Sequence, residues 1–253
     1  MSVAFDFTDK VVLITGGATG IGRATAVEFA KAGAKVVVGD VDDRATETVQ
    51  IITDAGGNAT FVRTDVTDDD AVKNLVDTTV AQHATIDIAF NNAGVLPPTA
   101  PLHEQTVQDW HRTMSVDATG VFLAMRHQIP VMLEAGTGSI VNTASVAGVT
   151  ADPGMTPYVA AKHAVVGVSK GAALDYADKG IRINVLAPGL IRTPMTERWL
   201  DDPEIAPRVL ADSPIGRPAE PEEVAGAVLF LSSDLAGAVT GSVYRVDGGR
   251  TAH

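Results

Sequence analysis

At 253 residues the chain is long for one average domain and short for two, so pattern rather than length must decide the domain count. A 45% hydrophobic share with 24 glycines and 13 prolines excludes a disordered or fibrous chain. The net charge of -12 argues against nucleic-acid or anionic-membrane partners, which need basic patches, and the lack of cysteine removes disulfides, thiol nucleophiles and Cys-ligated zinc.

In chain order, short apolar runs alternate with longer amphipathic stretches. Residues 11–14 predict a strand, 21–32 a helix, 36–38 a strand, 44–55 a helix, and 60–63 a weaker strand. A helix over 71–81, a strand over 86–90 and one long helix over 107–133 follow. Then come a strand at 140–141, a helix over 159–177, a strand over 183–187, a helix over 222–231 and a last strand at 243–246. The strands are apolar on both faces, as a parallel sheet covered on both sides requires. Gly33 and Gly180 stop helices, and Pro221 with Glu222 and Glu223 suits a first turn. Repeated β-α-β units predict an α/β fold: a single-domain, doubly wound (Rossmann) parallel sheet of about seven strands with helices on both faces, spanning 1–253. Residues 188–221 lack periodicity and follow a strand, on the side where such sheets bind ligands, so a substrate loop or lid is expected there. No apolar run approaches the ~20 residues of a membrane helix. Residues 1–9 show no signal-peptide pattern, and a cytoplasmic protein is expected. The six histidines form no pair at ligand spacing, so no metal site is expected.

The first strand runs directly into Thr15-Gly16-Gly17-Ala18-Thr19-Gly20-Ile21-Gly22 and a helix. A glycine turn at this junction admits a pyrophosphate, and the helix N-terminus offers it free N–H groups and partial positive charge. Gly16 permits the turn, Gly20 the close approach and Gly22 close packing of helix on strand; Thr19 and Ile21 complete the cofactor-binding stretch. Asp40 closes the second strand, where a carboxylate accepts both adenosine-ribose hydroxyls and repels a 2′-phosphate. Val41, Asp42 and Asp43 follow without compensating charge, and Arg23 and Arg44 are the nearest cations. NAD is therefore expected over NADP. Asp40 also stands where it would cap the next helix.

With Asp65, Asn91-Asn92-Ala93-Gly94, Ser145, Tyr158-Val159-Ala160-Ala161-Lys162, Pro188-Gly189 and Val246-Asp247-Gly248-Gly249 in this order, the chain resembles the short-chain dehydrogenases/reductases of about 250 residues over nearly its whole length. The resemblance implies that Asp65 and Val66 edge the adenine pocket and that Asn91, Ala93 and Gly94 lie beside the cofactor, Asn91 in a role that is structural or ligand-binding. It implies that Thr193, after Pro188 and Gly189, holds the nicotinamide carboxamide, and that the protein assembles as a homotetramer or dimer. It also implies that Ser145 hydrogen-bonds the substrate oxygen.

Tyr158 and Lys162, four apart, share one helix face. A phenol with a pKa near ~10 is a poor base at neutral pH, and lowering it toward ~7 takes about 4 kcal/mol of preferential phenolate stabilisation. The Lys162 ammonium and an oxidised nicotinamide supply charge of the right sign. In the reaction expected, Tyr158 takes the hydroxyl proton of a secondary alcohol as hydride leaves its carbon, and ketone reduction is the reverse. One position departs from the family: Asp117 stands where an asparagine commonly helps order a water chain to the lysine. An ionised aspartate accepts hydrogen bonds only, and it is expected to support the water chain and favour the Lys162 ammonium.

Leu96, Val146, Met155, Leu190, Met195 and Trp199 are candidates to line a pocket for a small alcohol or ketone with apolar bulk. Two other readings remain at this point: an NADPH-dependent reductase of carrier-bound 3-ketoacyl groups, and a non-catalytic NAD-binding protein.

Overall fold

The computed structural model describes residues 4–252. Strands β1 (Val11–Thr15), β4 (Ile88–Asn91) and β5 (Gly138–Thr143) are buried at every position, which demands cover on both faces. With β2 (Lys35–Asp40), β3 (Asn58–Arg63), β6 (Ile181–Pro188) and β7 (Val243–Val246) they form one sheet in the order β3-β2-β1-β4-β5-β6-β7. Every pairing is parallel. This is the doubly wound Rossmann-like sheet the alternation predicts.

Side-chain alternation along the strands divides the core in two. Val12, Ile14, Val36, Val38 and Phe90 face α1 (Gly20–Lys31), α2 (Ala45–Asp54) and α9 (Pro221–Ser232). Leu13, Val37, Ala89, Ile140 and Ile183 face α3 (Asp69–His83), α5 (Gly120–Ala135) and α6 (Thr156–Tyr176). Among the described residues no helix is long and apolar enough to cross a membrane.

Two expectations need correction. The single helix expected over 107–133 is α4 (Val107–Met114), a π-helical turn (Ser115–Thr119) and α5. A π-turn admits one residue more than an α-turn and reorients the side chains it carries. Here it carries Asp117, which is fully buried. The segment 188–221 is not irregular throughout: it folds α7 (Pro194–Leu200) and α8 (Ala206–Ala211). Both are too short for periodicity to reveal. Proline in the first turn starts each, and Thr193 and Thr196 cap α7 reciprocally.

Candidate active site

A cleft of about 1170 Å³ opens at the carboxyl ends of the strands. It lies where the strand order reverses between β1 and β4, the place open α/β sheets offer to ligands. Its floor is the glycine turn. Gly16 takes a left-handed φ of +71°, and a Cβ there would stand 2.7 Å from the Ala93 Cα. At Gly22 a Cβ would fall 2.0 Å from the Gly16 carbonyl oxygen, so only glycine lets α1 begin this close to β1. Thr19 precedes α1 without a side-chain cap, and no acidic residue occupies its first turn. The N-terminal N–H groups are therefore left for a ligand.

Asp40 reaches the cleft from the end of β2. Its carboxylate accepts the Ala18 N–H at 2.9 Å and the Asp42 N–H at 3.0 Å, which fixes it beside the glycine turn. It does not cap α2, whose N-cap is Arg44. The nearby cations are engaged elsewhere, Arg63 of β3 with Asp43. Arg44 grips the Asp42 carboxylate through Nε (2.9 Å) and Nη2 (2.6 Å), holding the Asp42 pKa down at about 2. Arg23 bonds Thr48 and Glu47. Asp65 and Val66 line the same end, with Asp65 holding the Thr67 N–H and hydroxyl.

Asn91 stands apart from the cleft. It is buried, and its side-chain amide is spent on Gln128 and Asn142. The role beside the turn falls to Asn92, which the sequence reading did not single out: its Nδ2 donates to the Gly16 carbonyl at 3.0 Å. The period-2 alternation of a strand carries the signal, since of two adjacent asparagines one points away.

Tyr158 and Lys162 project from one face of α6, as their spacing predicts, and the Lys162 Nζ lies 5.4 Å from the Tyr158 ring centre. Lys162 is buried, donates to the Thr143 carbonyl at 3.1 Å and pairs with Asp117 at 3.2 Å. The other Asp117 oxygen accepts the Val95 N–H at 2.8 Å. Burial alone would pull the Lys162 amine down, but Asp117 and Tyr158 outweigh it and hold the ammonium above its ordinary range. Asp117 thus touches the lysine itself. A Cβ at Gly94 would lie 3.4 Å from both partners, so the 93–94 backbone closes over the pair.

Lys162 acts on the Tyr158 phenol in the direction expected, but it is one of several influences. Burial pushes the phenol up; Lys162 pulls down, Asp117 pushes up, the Ser145 hydroxyl favours the ionised form, and Asp152 adds a further push upward. Ser145 follows β5, and its Oγ accepts the Ala147 N–H at 3.2 Å, so one serine both shapes the turn and faces the phenol.

The comparisons with known proteins bear on this arrangement. Residues 16–251 match the family model adh_short_C2, described as Enoyl-(Acyl carrier protein) reductase. The chain is a short-chain dehydrogenase/reductase. This dehydrogenase/reductase is 46% identical over 249 residues to a 2,5-dichloro-2,5-cyclohexadiene-1,4-diol dehydrogenase of Sphingobium indicum, covering 98% of this chain and 99% of the relative. It is 44% identical to a cis-4-hydroxycyclohexanecarboxylate dehydrogenase of Sinomonas cyclohexanicum, covering 97% and 98%. The crystal structure of levodione reductase superposes with a TM-score of 0.94 at 39% identity, covering 97% and 99%. A solved chain from Agrobacterium tumefaciens with bound NADP superposes at 0.91 and 36% identity over the full length of both.

The short-chain dehydrogenase/reductase places Leu96, Val146, Met155, Leu190, Met195 and Trp199 all on the cleft wall. Pro188, Gly189 and Thr193 carry the chain from β6 across the cleft, and a Cβ on Gly20 would meet the Thr193 side chain at 3.1 Å. The glycine cradle, the open helix terminus and the fixed Asp40 carboxylate fit a nicotinamide dinucleotide. Among the described residues no group of three or more His, Asp or Glu stands where it would hold a metal.

Proposed function

We propose that the protein is an NAD-preferring dehydrogenase of cyclic secondary alcohols. The buried Asp117–Lys162 pair beneath Tyr158, beside a glycine cradle whose neighbouring cations are engaged, carries this reading. The bound nicotinamide supplies the hydride acceptor, or the donor in reverse. Ser145 holds the substrate oxygen and Tyr158 exchanges its proton. Lys162, kept as an ammonium by Asp117, offsets the burial that opposes the phenolate. Asp40 receives the adenosine ribose, Asp65 and Val66 edge the adenine, and Thr193 receives the carboxamide. The apolar wall and the ring-shaped substrates in the names of both relatives support a saturated or partly saturated ring as substrate.

Residues 188–221, with α7 and α8, form the lid of a single domain. Phe122 and Leu174 are half or more exposed and Trp110 somewhat less, on α5, α6 and α4 respectively, and they support a homotetramer, which we place in the cytoplasm as part of the same proposal. The NADP-bound neighbour and the acyl-carrier description of the family favour a second reading, NADPH-dependent reduction of carrier-bound 3-ketoacyl groups. Asp40 and the net charge of -12 oppose it, since acyl carriers are acidic.

The test is oxidation of cyclohexanol and its ring-substituted analogues, followed in parallel with NAD and NADP, by wild type and Tyr158→Phe. Turnover with NAD at a kcat/KM at least tenfold above that with NADP, abolished in Tyr158→Phe, is expected. Faster turnover with NADP, or a fully active Tyr158→Phe, would overturn the assignment. NAD binding without turnover would leave a binding protein.

A further inference from the structure

Besides the buried pair and the carboxylates at the dinucleotide end, the cleft carries a further set of charged side chains. Asp152, Arg208, Asp212 and Arg250 all line it, and they come from three parts of the chain: the turn before α6, the α8 segment, and the turn after β7. Nη2 of Arg250 hydrogen-bonds the Asp152 carboxylate and stands 3.7 Å from that of Asp212. The turn bearing Arg250 is firmly built. Asp247 accepts the Gly249 N–H at 3.0 Å, the Thr251 N–H at 3.0 Å and the Thr251 hydroxyl at 2.5 Å. The Ile215 N–H donates to the Gly248 carbonyl at 3.1 Å and ties that turn to the end of the lid. Among the described residues, Nε and Nη1 of Arg250 make no hydrogen bond. Arg250 and Asp152 are each about a quarter exposed, at 24% and 22%. The same cleft is also lined by the apolar side chains of Leu96, Met155, Met195 and Trp199.

A purely hydrocarbon substrate would strip water from this pair and return no hydrogen bond, which costs binding energy. A hydroxyl group answers both partners: it donates to Asp152 and accepts from Arg250. A carboxylate only accepts. It would gain from Arg250 but meet Asp152, with Asp212 3.7 Å from the same guanidinium, so the anions at hand outnumber the cation. We infer that Asp152 and Arg250 form a subsite for a second hydroxyl, so that the preferred substrates are ring diols whose second oxygen is remote from the reacting carbon. This rests on the cyclic-alcohol reading given above.

The experiment measures kcat/KM with NAD for cyclohexanol, 1,4-cyclohexanediol and 4-hydroxycyclohexanecarboxylate in wild type, Arg250→Met and Asp152→Asn, with thermal melts confirming that each variant folds. In wild type the diol should exceed cyclohexanol by about tenfold or more, as sites built to bond a hydroxyl discriminate against analogues lacking it. Each variant should cut that diol-to-cyclohexanol ratio by about tenfold. A wild-type ratio near one, a ratio unchanged in both variants, or the carboxylate as the best of the three would overturn the subsite. If none of the three is oxidised, the cyclic-alcohol reading fails by itself. Diol binding to the enzyme–NADH complex, read by NADH fluorescence, then decides the subsite: weaker binding in Arg250→Met supports it, and no binding, or binding equal to wild type, overturns it.

Discussion

Tyr158 sits among opposed influences: burial, Asp117 and Asp152 raise its phenol, while Lys162 and the Ser145 hydroxyl lower it. Alcohol oxidation needs the phenolate, so kcat/KM should rise with pH along a limb governed by this group. Replacing Asp117 with Asn removes a charge that raises the phenol, and the limb should move to lower pH with kcat within about tenfold of wild type. A collapse of activity would show that the carboxylate itself is required to hold Lys162. Tyr158→Phe should lower kcat by about 10²–10⁴-fold with little change in NAD affinity, the usual worth of a positioned acid–base group. The partnership of Tyr158 with Lys162 was legible because helical spacing alone sets it. The direct contact of Asp117 with Lys162 was not, because it depends on a π-turn whose extra residue leaves no mark in composition or periodicity. Asp152 and Arg250 were equally hidden: they lie almost a hundred residues apart, and only the folded chain joins them.

The glycine turn and α1 form one unit, since the helix starts against the turn it follows. Gly22→Ala forces a methyl onto the Gly16 carbonyl, and NADH should bind at least tenfold more weakly in a fluorescence titration. At the far end of the 188–221 segment, Glu223 accepts the Glu220 N–H and takes Arg217 in a two-pronged grip, which holds its pKa down at about 2. A lowered carboxylate stabilises the fold above its unfolded pKa of ~4.3 and loses that contribution as pH falls through its folded value. The Tm difference between wild type and Arg217→Gln should therefore be present at neutral pH and close as pH falls toward 2. These elements differed in legibility for a physical reason. Helices of ten or more residues bury a stripe that repeats, whereas α7 and α8 are held by capping and first-turn proline, which also occur in loops.

For the whole molecule, the alternation of strand and helix was enough to give the parallel sheet, because right-handed crossovers leave few ways to arrange it. Assembly leaves a weaker trace. Leu174 is 84% exposed on α6, and in a tetramer that surface would be covered. Light scattering should then give a mass near four times the 26.2 kDa chain, reduced by Leu174→Glu; a wild-type monomer would refute the assembly.

The cleft wall runs from Gly16 to Arg250, nearly from one end of the described chain to the other. A growing polypeptide therefore cannot gain stability from the dinucleotide until synthesis is almost finished. The glycine cradle leaves the ribosome early, but Thr193 and the diol-binding arginine leave late. Ligand can rescue only the finished chain, since mass-action stabilisation needs a site that the native state alone possesses. For most of its synthesis the sheet must hold itself together by its two apolar layers, and a destabilised variant would be at greatest risk before its last fifty residues arrive.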